Sequence, residues 1–212
     1  MSGPTAGKNA VITPSPRKTP VQQRSRERFE RMLAAATELI AEQGSDALKM
    51  SDVAARADVS IGSLYQFFPD KSAILATLVE RCNAQSRDCI EEELSGVRDS
   101  DGLRTAFFDL IDIYYAMFLA EPAMRDIWSG AQADKQLSAL QVEESRANAA
   151  VLASVLERLF PGADQARLAT KSLLVMHLGE ETMRLALAVG RAEGDRLVEA
   201  YKDMAVRELL AA

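Results

Sequence analysis

The residues that could do chemistry are few, and most of them cluster in one place. From Met50 to Lys71 the chain reads Met-Ser-Asp-Val-Ala-Ala-Arg-Ala-Asp-Val-Ser-Ile-Gly-Ser-Leu-Tyr-Gln-Phe-Phe-Pro-Asp-Lys. Its second half presents Ser60, Ile61, Gly62, Ser63, Tyr65 and Gln66, a run that is small, neutral, hydrogen-bonding and free of acids. A helix that enters the negatively charged major groove of DNA needs such a surface. Elsewhere chemistry is scarce. There is one histidine, His177, and there are two cysteines, Cys82 and Cys89. Neither a glycine-rich phosphate loop nor a nucleophile elbow is found. A helical di-iron site requires two Glu-x-x-His pairs, which one histidine cannot supply. No metal, cofactor or enzymatic activity is expected. The cysteines fall seven residues apart in one expected helix, about 10 Å between Cα atoms and beyond disulfide reach. They read as small, partly buried apolar groups.

The elements that must hold the segment 50–71 are helices. No stretch alternates apolar and polar residues with the period of a strand, so the fold class is all-α, with about nine helices. A first helix starts near Thr19-Pro20 or near Ser25, carries Phe29, Met32, Leu33, Ala36 and Ile40 on one face, and stops at Gly44. Two short helices follow, Asp52–Ala57 capped by Ser51 and Ile61–Phe67 capped by Ser60. They are joined by a tight link at Asp58-Val59. Small Ala54, Ala55 and Ala57 let them approach, and Val53, Val59, Leu64 and Phe68 supply apolar groups. This is the make-up of a helix-turn-helix. Asp70 caps a long helix to about Leu94. Further helices are expected over 103–120, from Pro122 to near Ser129-Gly130, over 132–160, from the Asp164 cap to Val189, and over 195–210. Gly190 and Gly194 flank the last turn.

The run Val59-Ser60-x-Gly62-Ser63-Leu64-Tyr65-x-x-Phe68-Pro69-x-Lys71, preceded by Met50-Ser51-x-Val53-Ala54, resembles the DNA-binding domain of the TetR family of bacterial transcriptional regulators. The likeness covers about Arg28 to Leu78. It implies a three-helix DNA-binding domain over 20–70 and a helical ligand-binding and dimerisation domain over 71–212. Its position-by-position implications are that Ser51 meets phosphate and that Ile61, Gly62 and Ser63 form the base-reading edge. Tyr65 and Lys71 contact phosphate, and Gln66 stands at the groove wall. Many members carry a polar or basic residue where this chain has Ile61. That side chain can touch a thymine methyl but donates no hydrogen bond, so specificity would lean on Ser63, Gln66 and the N-terminal arm. Taken alone, Tyr65 and Phe68 read equally as core aromatics.

The resemblance also implies a homodimer on a palindromic DNA operator, with a small-molecule effector that sets its affinity. Repression is the usual mode of the family. Two half-sites require two recognition helices. The last two long helices are candidates for the interface, through Ser172, Met176, Gly179, Met183, Leu197 and Tyr201, unless that face packs inside one subunit. The middle helices combine aromatics and methionines. Tyr115, Met124 and Trp128, with His177, are candidates for an apolar effector pocket, and equally for core.

Charge is distributed in keeping with this reading. The whole chain carries −6, but residues 1–75 hold ten basic and eight acidic side chains, a net +2, which leaves −8 on the rest. Residues 1–31 alone hold seven Lys/Arg and two acids. The Pro-rich stretch 1–19 is expected to be a disordered basic arm. It lacks the apolar core of a signal peptide, and no run is long enough to span a membrane. A cytoplasmic location is expected.

Overall fold

Phe29, Met32, Leu33, Ala36 and Ile40 repeat at helical spacing, and in the computed structural model they lie in the buried stripe of α1 (Gln23–Gln43). The structure describes residues 23–121, 123–127 and 135–211; the arm expected at 1–19, and Trp128, lie outside them. Gly44 ends α1 in the left-handed region at φ 82°, a conformation that costs glycine little. Then come α2 (Met50–Arg56), α3 (Ile61–Phe67) and α4 (Lys71–Ser95). The body holds α5 (Ser100–Ala120), α6 (residues 123–127), α7 (Lys135–Leu159), α8 (Gln165–Ala188) and α9 (Arg191–Leu210). The described residues thus form nine helices and no strand.

Caps explain most of the boundaries. Ser60 accepts from the Ser63 amide at 3.1 Å, and Asp70 accepts from the Ala73 amide at 2.9 Å. Asp164 accepts from the amides of Ala166 and Arg167. Three starts differ from expectation. Helix α2 begins at Met50 behind Lys49, which makes no side-chain cap, so Ser51 is a helical residue and not the cap. Helix α5 begins at Ser100, because Asp99 accepts from the Gly102 amide at 2.8 Å. Helix α9 begins at Arg191 and runs through Gly194. Gly194 marks a close approach of helices, not a turn: a Cβ there would run into the Ala186 carbonyl and stand 2.8 Å from the Tyr115 hydroxyl.

Two apolar clusters organise the chain. The first joins α1–α3 to the front of α4, where Ala73, Ile74, Leu75, Ala76, Leu78 and Val79 are buried. Phe68 is fully buried and stacks on Phe29 with ring centroids 5.1 Å apart, which settles it as core. Ile127 of α6 reaches this cluster from the body. The second cluster is built from the rear of α4 (Ile90, Leu94) with α5, α7, α8 and α9. Helix α4 is therefore shared by both clusters, and the expected boundary at 70/71 falls inside the first. Arg81 clamps α4 to α1, with a forked ion pair to Glu30 at 2.6 Å and its guanidinium over the Phe29 ring at 5.6 Å. That bond holds the Glu30 carboxyl below the usual carboxylate range.

Candidate nucleic-acid interface

Helix α3 has two unlike faces. Leu64 and Phe67 point into the head and are buried. Ile61, Gly62, Tyr65 and Gln66 are exposed, and no acid stands in its first turn. Ile61 is 45% exposed and Tyr65 44%. A protein that leaves such groups in water at the tip of a packed head has a surface waiting for a partner. A Cβ at Gly62 would meet nothing within 4 Å, so no internal packing demands glycine there. Its smallness leaves room for something outside the chain.

The turn between α2 and α3 fixes this face. Ala57 closes α2, and Asp58 takes φ 52°, the left-handed conformation that Asp tolerates better than most residues. Val59 then bonds back to the Ala54 carbonyl at 3.0 Å. Buried Val53, Ala54 and Leu64 lock the pair against α1. The exposed groups of α3 thus stand on a rigid frame, as base readers must.

The residues expected to contact phosphate lie on α2, on α3 and at the start of α4. Ser51 is exposed on α2 and donates to Asp52 Oδ1 at 2.9 Å. Ser60 and Ser63 are tied to each other by the cap of α3. Lys71 is half-buried at the start of α4, its ammonium donating to the Asp46 carbonyl at 3.1 Å. Arg56, by contrast, is held by Glu38 and Glu42 on the outer side of the head. One neighbour was not singled out in the sequence: Arg28 of α1 donates to Ser63 Oγ at 3.4 Å. Its spacing on α1 gave no sign of this, because the contact joins residues 35 apart.

The body contains a small apolar cavity of about 30 Å³ between α4, α5, α7, α8 and α9. Ile90, Tyr114, Asn148, Met176, Glu180 and Tyr201 are among its walls. Tyr115, Met124 and His177, expected around a pocket, do not line this cavity. Tyr115 is buried but turns to the α8–α9 turn, where the Arg191 guanidinium lies 5.5 Å over its ring. Tyr114, one residue earlier, lines the cavity instead. Met124 is buried outside it. His177 stands behind the wall, its Nδ1 3.2 Å from Ser145 Oγ, which also reaches Glu180 Oε2 at 3.1 Å. Burial pushes the Glu180 carboxyl up to about 7. Asn148 is 2% exposed and its Oδ1 has no partner among the described residues.

The interface residues expected on the last two helices face inward. Ser172, Gly179, Met183 and Tyr201 are buried within the chain, and Met176 and Leu197 are half-buried against the body core. Tyr201 donates to the Val175 carbonyl at 2.5 Å, and a Cβ at Gly179 would stand 3.0 Å from its hydroxyl. The same helices carry a second apolar stripe on the outside: Leu174, Leu178 and Leu185 of α8, and Met204 of α9, each 44–56% exposed. Both sides of α8 are apolar, and helical periodicity alone does not say which one turns outward.

Residues 101–212, more than half of the chain, match the family described as "Tetracyclin repressor-like, C-terminal domain", and residues 32–78 match "Bacterial regulatory proteins, tetR family". The chain belongs to the TetR family. This is a family of transcriptional regulators, not of enzymes. The HTH-type transcriptional repressor KstR of Mycolicibacterium smegmatis is 41% identical over 56 residues, 26% of this chain and 28% of that protein. The uncharacterized HTH-type transcriptional regulator YvdT of Bacillus subtilis is 30% identical over 86 residues, 41% of each chain. The matched stretches thus span well under half of these relatives' length. Solved TetR-family structures align far further. One from Streptomyces coelicolor is 28% identical with a TM-score of 0.68, covering 88% of this chain and 97% of that one. Bacillus subtilis FadR, solved with stearoyl-CoA, shares the fold at 18% identity and a TM-score of 0.61, over 86% and 98% of the two chains. Among the described residues no helix is long and apolar enough to cross a membrane.

Proposed function

We propose that this TetR-family regulator is a repressor that binds a palindromic operator as a homodimer. A small apolar or amphipathic effector in the body would release it. The observation that carries the reading is the acid-free exposed face of α3, with Ile61, Gly62, Tyr65 and Gln66 in solvent while Leu64 and Phe67 anchor its back. Ile61, Gly62, Ser63 and Gln66 read bases in the major groove. Ser51, Ser60, Tyr65 and Lys71 hold phosphates, and their contacts set the register. Residues 20–70 act as the reader and 71–212 as the sensor and dimeriser, with α4 common to both.

The outer stripe of Leu174, Leu178, Leu185 and Met204 is the dimer face. Leu174, Leu178 and Leu185 follow the i, i+4, i+11 spacing of one side of α8, Met204 stands on α9, and two copies related by a two-fold axis would bury them together. The cavity beside Tyr114, Asn148 and Glu180 is the effector site. Its lining is mostly apolar with a few polar side chains from α5, α7, α8 and α9, the composition of a small-molecule pocket. At about 30 Å³ it holds no more than about one water-sized molecule, so an effector must part the helices around it. That is how binding would change the spacing of the two heads. The solved complex of FadR with stearoyl-CoA supports a body of this fold as a place for an effector.

Selection of bound duplexes from random DNA tests the reading, together with the mass of the protein in solution. The expected result is an enriched inverted repeat with half-sites about 10 base pairs apart or a multiple of that, bound by a species of twice the chain mass. Enrichment of no sequence by the dimer would overturn it.

A further inference from the structure

We propose that Arg28 of α1 reads a guanine in each half-site and supplies the cationic donor that the recognition helix lacks. This rests on the DNA-binding reading above and adds a residue to it. Helix α3 runs Ile-Gly-Ser-Leu-Tyr-Gln-Phe and contains no Lys or Arg. The commonest specific contact in the major groove is a forked guanidinium on guanine O6 and N7. Nothing on α3 can make it.

Arg28 is exposed on α1, and its Nη1 lies 3.4 Å from Ser63 Oγ. That bond puts the guanidinium beside the base-reading edge of α3, at the helix's N-terminal turn. It consumes one of the five N–H donors of an arginine, so the fork remains free for an outside acceptor. Ser63 acts as the positioning group, since its oxygen accepts from Arg28 while its own hydrogen stays available. Charge bookkeeping favours the same residue. Of the cations around the head, Arg56 is held by Glu38 and Glu42, and Arg81 by Glu30. Arg28 has no acidic partner within ion-pair distance among the described residues. Arg24 and Arg31 share its helix face at i−4 and i+3, so the row as a whole is positively charged. A lysine would not replace Arg28 well, since its ammonium is a point charge without the planar fork.

The test uses the full-length dimer and the operator half-site that selection defines. Arg28→Ala and Arg28→Lys are compared with wild type by fluorescence anisotropy, each confirmed folded by its thermal melt. Arg28→Ala is expected to bind the operator about 5- to 150-fold more weakly. Repeating the selection with Arg28→Ala should relax one guanine position per half-site and leave the others enriched. Replacing that guanine by 7-deazaguanine should weaken wild type by several-fold and leave Arg28→Ala unchanged. Arg28→Lys should recover less than half of the loss on a logarithmic scale. Three outcomes overturn the proposal: unchanged affinity, an unchanged selected motif, or an equal loss on operator and random DNA with a salt slope shallower by about one. The last would make Arg28 a phosphate contact only. If wild type itself enriches no sequence, the DNA-binding reading fails first. If wild type enriches a motif that Arg28→Ala also enriches, this proposal alone fails.

Discussion

The head and the body of this regulator bury their side chains on opposite terms. In the head, Val53, Leu64, Phe68 and Ile74 are wholly enclosed, and the polar side chains buried there are Ser45 and Thr77, the latter donating to the Ala73 carbonyl at 2.9 Å. In the body, polar groups are taken inside. Ser145, Asn148 and Ser172 are buried, and Asn148 Oδ1 and Ser172 Oγ lack partners among the described residues. Glu180 is deep enough that burial raises its carboxyl to about 7, and a cavity lies beside it. An unsatisfied buried polar atom costs free energy, and a void forfeits contacts. The head is therefore the more fully satisfied of the two, while the body keeps unmet bonding capacity, in keeping with the proposed division between reader and sensor.

The sharpest way to break this contrast is to loosen the head. Phe68→Ala removes a fully buried ring stacked on Phe29 and should cost about 3–5 kcal/mol, read as a fall in the urea midpoint with loss of operator binding. A loss below about 1 kcal/mol would mean the head is not tightly packed. Next comes the outer face of the body. Leu174→Glu with Leu178→Glu places four carboxylates across a two-fold axis. It should halve the mass seen by light scattering and weaken operator binding at least tenfold, with each chain still folded. A variant that stays dimeric would move the interface elsewhere.

Glu180 sharpens the other side of the comparison. Its folded-state value lies above the ordinary 4.5, so between about pH 4.5 and 7 the folded chain keeps a proton that the unfolded chain has released. Stability must then fall as pH rises through that window. Desolvation leads, the Ser145 hydrogen bond and then Arg184 oppose it, and Glu144 and Glu181 add to it. Glu180→Gln should flatten the fall and raise Tm at pH 8 by about 2–4 °C per kcal/mol recovered. An unchanged pH profile would show that the carboxyl is hydrated in solution. The smallest effect belongs to the turn of the head. Asp58→Gly suits the positive φ and should change stability by less than about 1 kcal/mol, whereas Asp58→Val should lose about 1–2 kcal/mol. Urea denaturation of the pair checks both.

What the sequence made legible follows from what is local. Ser60, Asp70 and Asp164 cap the helices expected of them because a cap bonds an amide two or three residues on. The buried stripe of α1 and the core role of Phe68 were likewise readable from spacing. Two misses are local, the start of α2 at Met50 and the Asp99 cap of α5, and the others are long-range. Helix α9 was expected to begin at Asp195 because two glycines suggested a turn, whereas Gly194 is small to let α8 come close. The inner and outer faces of α8 are both apolar, so spacing alone does not separate a face packed within the chain from one turned outward. Tyr115 and Tyr114 are neighbours in sequence, and only the packing of α5 decides that Tyr114 meets the cavity. Arg28 and Ser63 belong to the same class of miss, since nothing local connects them.

Helix α4 is rooted in the head through Ile74 and Val79 and in the body through Ile90 and Leu94. Its 25 residues make a rod of about 37 Å, close to one turn of the double helix at roughly 34–36 Å. A tilt of about 5° at one end carries the other by roughly 3 Å at that length, about one base-pair step. The rod is thus a lever whose throw matches the ruling of the scale it works on. A movement in the body too small to disturb any single contact could still put two reading heads out of phase with their half-sites.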